Sequence, residues 1–227
     1  MLSGLMRTRL IIFDFDGTLA DTTATILSTY RRVIREMELE SRTDAACQAT
    51  IGLPLKEGFR QLYPGFASLR LDECVDAYRR IFNENKRKFP PMLYPGVKDT
   101  LDELYRRGLD MTIASSRNSP SLLEFCKENG IRDYFRLLLG ADDVVNAKPH
   151  PEPVLKTLEI LDREAEHALV VGDMPVDMAM GNGAYCRTVG VTYGNAARDE
   201  LVCAGATFVI DSFPELLEYI ICTRMCA

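Results

Sequence analysis

The most constraining feature of this 227-residue chain is a rhythm of short apolar runs that end abruptly in polar turns, with helix-length stretches between them. Leu10-Ile11-Ile12-Phe13 ends in Asp14, Met111-Thr112-Ile113-Ala114 in Ser115-Ser116, and Ala168-Leu169-Val170-Val171 in Gly172-Asp173. Residues 135–139, 188–191 and 207–210 complete a set of six. Runs this short and this apolar read as strands buried on both faces. Between them, residues 97–107, 121–129, 153–161 and 213–221 repeat apolar positions at helical spacing. Alternation of strand and helix predicts an α/β fold, a doubly wound parallel sheet with helices on both faces. In such a sheet the carboxyl ends of the strands share one rim, where ligands bind, so Asp14, Ser115 and Asp173 should converge despite their separation in sequence.

One interval breaks the rhythm. Residues 18–94 contain no convincing strand, whereas 24–37 and 72–88 place apolar side chains three and four apart among many charges. This predicts an inserted helical domain over 20–94, with the core formed by 1–19 and 95–227. Pro90-Pro91 and Pro95-Gly96 mark the return to the core, and 20–22 and 90–94 are the natural hinges.

A net charge of -6 argues against a surface built to neutralise nucleic-acid phosphates or to sit on an anionic membrane, so the expected partner is a small molecule. The apolar run at residues 10–13 is far too short for a signal-peptide core or a membrane span. The seven cysteines are odd in number, scattered and never in C-x-x-C spacing, which reads as reduced thiols in a cytoplasmic protein. Cys222 and Cys226 lie four apart but read as a frayed tail. A monomer and a homodimer both fit the chain.

The chemistry is carried by a constellation. Asp14-Phe15-Asp16-Gly17-Thr18 puts two carboxylates two apart directly after a strand, with a glycine that lets the backbone turn close to a ligand. Asp173 and Asp177 form a second acidic pair after another strand, and Lys148-Pro149 lies in the loop before it. Singly, each has an ordinary explanation: a turn, a helix cap, a solvated loop charge. Together, four carboxylates and one lysine on a single rim would repel strongly unless a divalent cation compensated them.

This arrangement resembles the haloacid dehalogenase superfamily, in particular its phosphoglycolate-phosphatase-like branch with a helical cap between the first and second motifs. Residues 14–19 look like the first motif, Ser115 the second, Lys148-Pro149 the third and residues 172–177 the fourth. The resemblance implies a Rossmann-like core, a bound magnesium ion (Mg2+) and hydrolysis of a small phosphorylated metabolite through an aspartyl phosphate. Asp14 would be the nucleophile and Asp16 the acid and base. Magnesium would be held by Asp14, the backbone carbonyl of Asp16 and Asp173, with Asp177 behind them. Thr18, Ser115, Ser116 and Lys148 would bind the phosphoryl group, Ser115 and Lys148 counting with the catalytic set. Ser116-Arg117 stands where relatives commonly have Asn-Lys, which bears on substrate fit.

In relatives a cap loop reaches the active site, and residues 50–56 match it here. Gly52 and Pro54 set a turn before a helix carrying Lys56 and Arg60, which could read a second anionic group on the substrate. His150, close to Lys148, reads as a surface residue. Phosphoglycolate, a sugar phosphate, pyrophosphate and a nucleotide all fit. The alternatives are a phosphomutase resembling β-phosphoglucomutase and a binding protein that retains the fold without turnover.

Overall fold

Leu10–Phe13 forms the strand β1, fully buried and flanked on both sides by parallel strands. The structure is a computed structural model and describes residues 8–225. After β1 come β2 (Ala20–Asp21), α1 (Thr23–Glu36), α2 (Asp44–Gln48), α3 (Leu55–Leu62), α4 (Ser68–Asn85) and β3 (Met92–Leu93). The chain then alternates through α5 (Val97–Arg106), β4 (Asp110–Ala114), α6 (Ser119–Glu128), β5 (Leu137–Leu139), α7 (Glu152–Leu161) and β6 (Ala168–Gly172). It ends with α8 (Pro175–Gly183), β7 (Arg187–Val191), α9 (Arg198–Cys203), β8 (Phe208–Ile210) and α10 (Glu215–Met225).

The main sheet has six strands in the order β5-β4-β1-β6-β7-β8, and every neighbouring pair is parallel. These are the six strands predicted. Successive side chains of β1 go to opposite faces, as the period of a strand requires. Ile11 and Phe13 join Val97, Leu101 and Leu216 from α5 and α10, while Leu10 and Ile12 join Val154, Leu158 and Met180 from α7 and α8. The chain builds outward from β1 to β4 and β5, then crosses back to build β6, β7 and β8 on the other side. The order therefore reverses between β1 and β6, and that crevice is where a sheet of this kind opens to a ligand. Asp14 follows one of these strands and Asp173 the other.

The interval that broke the rhythm holds α1 to α4. Tyr30 from α1, Phe59 from α3 and Tyr78 from α4 pack with ring centroids 5.1–6.1 Å apart, in an apolar cluster continuous with the one around Ile11 and Phe13. The structure adds two short strands that periodicity did not predict. Ala20 and Asp21 pair antiparallel with Leu93 and Met92, so the two anticipated hinge segments lie side by side. At two residues each they are too short to show a repeat. The five cysteines described are unbridged; the side chains of Cys222 and Cys226 lie outside the described residues.

Candidate active site

Asp14 sits where β1 ends, 4% exposed, with its backbone N–H still donating to Val171 of the neighbouring strand at 2.8 Å. Lys148 reaches it from the loop before α7. Its Nζ donates to Asp14 Oδ1 at 2.5 Å and to Asp177 Oδ1 at 2.7 Å. Asp173, at the end of β6, is fully buried. Its Oδ2 accepts from the backbone N–H and the side chain of Asn195, both at 2.8 Å, and its Oδ1 accepts from Thr18 at 3.2 Å. Gly17 makes this closeness possible. Its φ is +92°, and a Cβ there would fall 2.2 Å from Asp173 Oδ2.

Burial dominates the electrostatics. It pushes the Asp14 carboxyl well above the usual range, with Asp177 and Asp173 adding to the rise and Lys148 opposing it. Burial likewise lifts Asp173 to about 7, aided by the charge of Asp177 and opposed by the Asn195 hydrogen bonds. For Lys148 burial acts downward, but Asp14 and Asp177 outweigh it and hold the ammonium above its ordinary value. Carboxylate oxygens of Asp14, Asp173 and Asp177 lie within 4.8 Å of one another. Three buried carboxylates against one ammonium leave excess negative charge, and a hard divalent cation with oxygen preference fits that donor set.

Asp16, on the other flank of Asp14, is gripped by Arg117. Nη2 and Nε of the guanidinium donate to the two carboxylate oxygens at 2.5 and 3.2 Å, and Nη1 donates to Ser121 at 3.0 Å. The same guanidinium lies 4.5 Å from the Phe125 ring centroid, 4.9 Å from Phe82 and 5.8 Å from Phe15. The Arg117 backbone N–H donates to Ser115 Oγ at 3.1 Å. Asp14, Asp16, Ser115 and Arg117 face a cavity of about 1010 Å³, closed on the other side by Gly52 and Lys56.

Several predicted positions differ. Thr18 is not among the residues that line the cavity; after the turn at Gly17 its buried hydroxyl donates to Asp173. Ser116 lines the cavity, but its hydroxyl donates to the Gly52 carbonyl at 2.6 Å, tying the rim to the helical segment. Lys56 lines the cavity too, yet it is ion-paired to Asp72 at 2.6 Å. Arg60 is off the cavity wall and pairs with Glu57 one turn back. Both cations of that helix are thus engaged by a neighbouring carboxylate. A carboxylate oxygen of Asp177 lies within 4.8 Å of ones from Asp14 and Asp173, while its Oδ1 accepts from Lys148 at 2.7 Å and its Oδ2 from the Met174 N–H at 3.0 Å. His150 is exposed, as expected.

The residues that sequence reasoning missed are Arg117 as the partner of Asp16, Asn195 as the partner of Asp173, and Tyr193, whose hydroxyl donates to the Thr18 carbonyl at 2.8 Å. Asn195 follows β7 on the same rim, which is the only signal it carries. A further bond joins Gln48 of α2 to Asn195 at 3.3 Å.

A buried carboxylate at the switch point of a parallel sheet, with a lysine and two more carboxylates around it, is the kind of site that an α/β enzyme carries on the rim of its sheet. The chain belongs to the haloacid dehalogenase-like hydrolase family, whose pattern matches residues 11–191. It is 34% identical to "Probable phosphatase IndB" of Dickeya dadantii, over 92% of this chain and 91% of that one. It is 30% identical to "Pyrophosphatase PpaX" of Anoxybacillus flavithermus, over 93% of this chain and 96% of the relative. The crystal structure of a haloacid dehalogenase-like hydrolase from Bacteroides fragilis superposes with a TM-score of 0.84 at 27% identity, covering 92% of this chain and all of its own.

Proposed function

We propose that this hydrolase is a magnesium-dependent phosphatase that removes phosphate from a small phosphorylated metabolite through an aspartyl phosphate on Asp14. The observation that carries the reading is the placement of Asp14. It is a buried carboxylate at the end of the central strand, held by Lys148 and opening onto the cavity. The names of both relatives, a phosphatase and a pyrophosphatase, support release of phosphate to water rather than transfer to a second hydroxyl.

In this reading a carboxylate oxygen of Asp14 attacks phosphorus while the bond to the leaving oxygen breaks, and Asp16 delivers a proton to that oxygen. A water then gives its proton to Asp16 and attacks the phosphorus. The bond to Asp14 breaks, phosphate departs and the carboxylate is restored. Lys148 offsets negative charge shared by Asp14 and the phosphoryl oxygens, and Ser115 lies beside the nucleophile to donate to one of those oxygens. Asp14 and Asp173, with Asp177 beside them, would hold the magnesium ion, which supplies charge neutralisation of the phosphoryl group. Residues 20–94 would act as a cap over the rim, keeping bulk water from the aspartyl phosphate, with 1–19 and 95–227 as the core. Among the described residues no helix is long and apolar enough to cross a membrane, and a cytoplasmic setting suits the unbridged thiols.

The test is phosphate release from a panel of phosphorylated metabolites with and without magnesium. Asp14→Asn should lower kcat by about 10³-fold or more, as loss of a nucleophile does. Equal rates for the two proteins would refute the reading.

A further inference from the structure

Resting on the phosphatase reading, we propose that Tyr78 of α4 is a substrate-recognition residue, its hydroxyl donating a hydrogen bond to an oxygen carried by the leaving part of the phosphate ester. The helical periodicity of α4 sets its position. Val75, Tyr78 and Phe82 fall three and four apart and are all buried, so Tyr78 occupies a place in the apolar interior. Its ring meets Tyr30 at 5.1 Å and Phe59 at 6.1 Å edge-on, and stacks on Phe82 at 5.9 Å and 18°. Three rings hold it, so the direction of its C–O bond is fixed. A phenylalanine would fill the same space. The hydroxyl therefore adds nothing to the packing, and it brings a desolvation cost that only a hydrogen bond offsets.

That bond is not made within the described residues. Of the other hydroxyls that line the cavity, Tyr30 bonds Thr50 at 3.0 Å, Ser116 donates to the Gly52 carbonyl, and Ser115 and Ser121 accept from Arg117. Tyr78 lines the same cavity without a hydrogen bond, and although the residue is only 9% exposed, its oxygen is not sealed off as that of Thr112 is. Its place along the cavity says which part of a ligand it meets. The Phe82 ring on which Tyr78 stacks also lies 4.9 Å from the Arg117 guanidinium, and Arg117 grips Asp16. Tyr78 thus stands on the Asp16 flank of Asp14, whereas Lys148 and the carboxylates that would hold the metal gather on the opposite one. With the phosphoryl group met there, α4 faces the remainder of the ester, beside the apolar Ile26 and Leu53. Burial above all, with Tyr30 and Asp16 adding to the rise and Arg117 opposing it, holds the phenol well above the ordinary tyrosine range, so it stays a neutral donor. A leaving part that bears a hydroxyl, carbonyl or carboxylate oxygen satisfies this donor; a bare hydrocarbon leaves it orphaned.

The experiment compares wild type with Tyr78→Phe, each as the magnesium-loaded full chain. The substrates are glycerol phosphate, a hexose phosphate, phosphoglycolate, pyrophosphate and a nucleoside monophosphate, and orthophosphate is the competing product that lacks a leaving part. On the substrate with the highest kcat/KM in wild type, Tyr78→Phe should lose about tenfold, the scale of one hydrogen bond in a closed site. The inhibition constant of orthophosphate should change by less than about twofold, because the phosphoryl contacts are untouched. The thermal midpoint of the free protein should stay level or rise, because no bond within the protein is lost. An unchanged kcat/KM overturns the proposal. So does an orthophosphate constant that rises as far as kcat/KM falls, which would put Tyr78 on the phosphoryl group. A lower midpoint overturns it too, since the hydroxyl would then be bonded inside the fold. Each of these results leaves the phosphatase reading standing, whereas a wild-type chain that releases phosphate from none of the substrates removes that reading and this proposal with it.

Discussion

Asn195 grips one oxygen of Asp173 twice, through its backbone N–H and its side chain, each at 2.8 Å. Thr18 holds the other oxygen, so the carboxylate is oriented at both ends. Outer-sphere partners of a metal-binding carboxylate typically change metal affinity by about 10–100-fold. Asn195→Ala should raise the magnesium concentration giving half-maximal phosphate release by about tenfold, with a smaller change in kcat at saturating metal. A magnesium titration of initial rates checks this; an unchanged midpoint would show that Asp173 needs no such support.

Lys148 stands between two buried carboxylates, and removing it leaves like charges facing one another in a dry site. In a chelator, Lys148→Met should cost about 3–5 kcal/mol of stability by urea denaturation. Magnesium should return part of that loss, because the cation takes over the compensation. Phosphate release should still fall by about 100-fold at saturating metal, since a fixed positive charge beside the phosphoryl group is gone.

The buried carboxylates also set a pH dependence. Asp173 rises from 3.8 in the unfolded chain to about 7 in the folded one, so between those values the native state binds the extra proton. Stability from this group is therefore present at low pH and declines as pH rises from about 4 to about 7, levelling off above. Metal binding needs the deprotonated carboxylate and should strengthen over the same window. In chelator, the stability difference between wild type and Asp173→Asn should shift against wild type as pH rises through this range, and excess magnesium should reverse the trend. A flat difference would contradict the burial of Asp173.

Two glycines separate backbone strain from site geometry. Gly17 and Gly108 both have positive φ, +92° and +72°, but a Cβ at Gly108 meets nothing within 4 Å, whereas one at Gly17 would collide with Asp173. Alanine at either should cost about 1 kcal/mol through the backbone. Only Gly17→Ala should also abolish phosphate release, which paired thermal melts and rate assays would show.

The core of the fold was legible because parallel strands buried on both faces carry uninterrupted apolar runs, and β1 and β6 are the clearest cases. The convergence of Asp14, Lys148, Asp173 and Asp177 was legible too, since each lies just past a strand or in the loop or helix beside one. What sequence could not show was direction. Thr18 stands in the right motif, but the turn at Gly17 points it at a carboxylate. Lys56 and Arg60 share a helix one turn apart, and nothing in that spacing says that Asp72 and Glu57 engage them. Arg117 and Asp16 are 101 residues apart, and the guanidinium is placed by rings from the Asp14 loop, α4 and α6. Such a pairing depends on assembled packing rather than on any local pattern.

The ladder of β2 and β3 joins Ala20 to Leu93 and Asp21 to Met92, and Tyr94 N–H donates to the Leu19 carbonyl just beyond it at 3.0 Å. More than seventy residues thus leave and re-enter the sheet through what is, geometrically, a single doorway. Beyond that doorway further contacts join the helical segment to the rim: Ser116 to the Gly52 carbonyl, Gln48 to Asn195, and the Phe82 ring to Arg117. Helices beyond Asp21 and before Met92 could be exchanged without breaking the backbone path of the sheet, and Asp14, Lys148, Asp173 and Asp177 would keep their places provided the few contacts with Ser116, Arg117 and Asn195 were preserved.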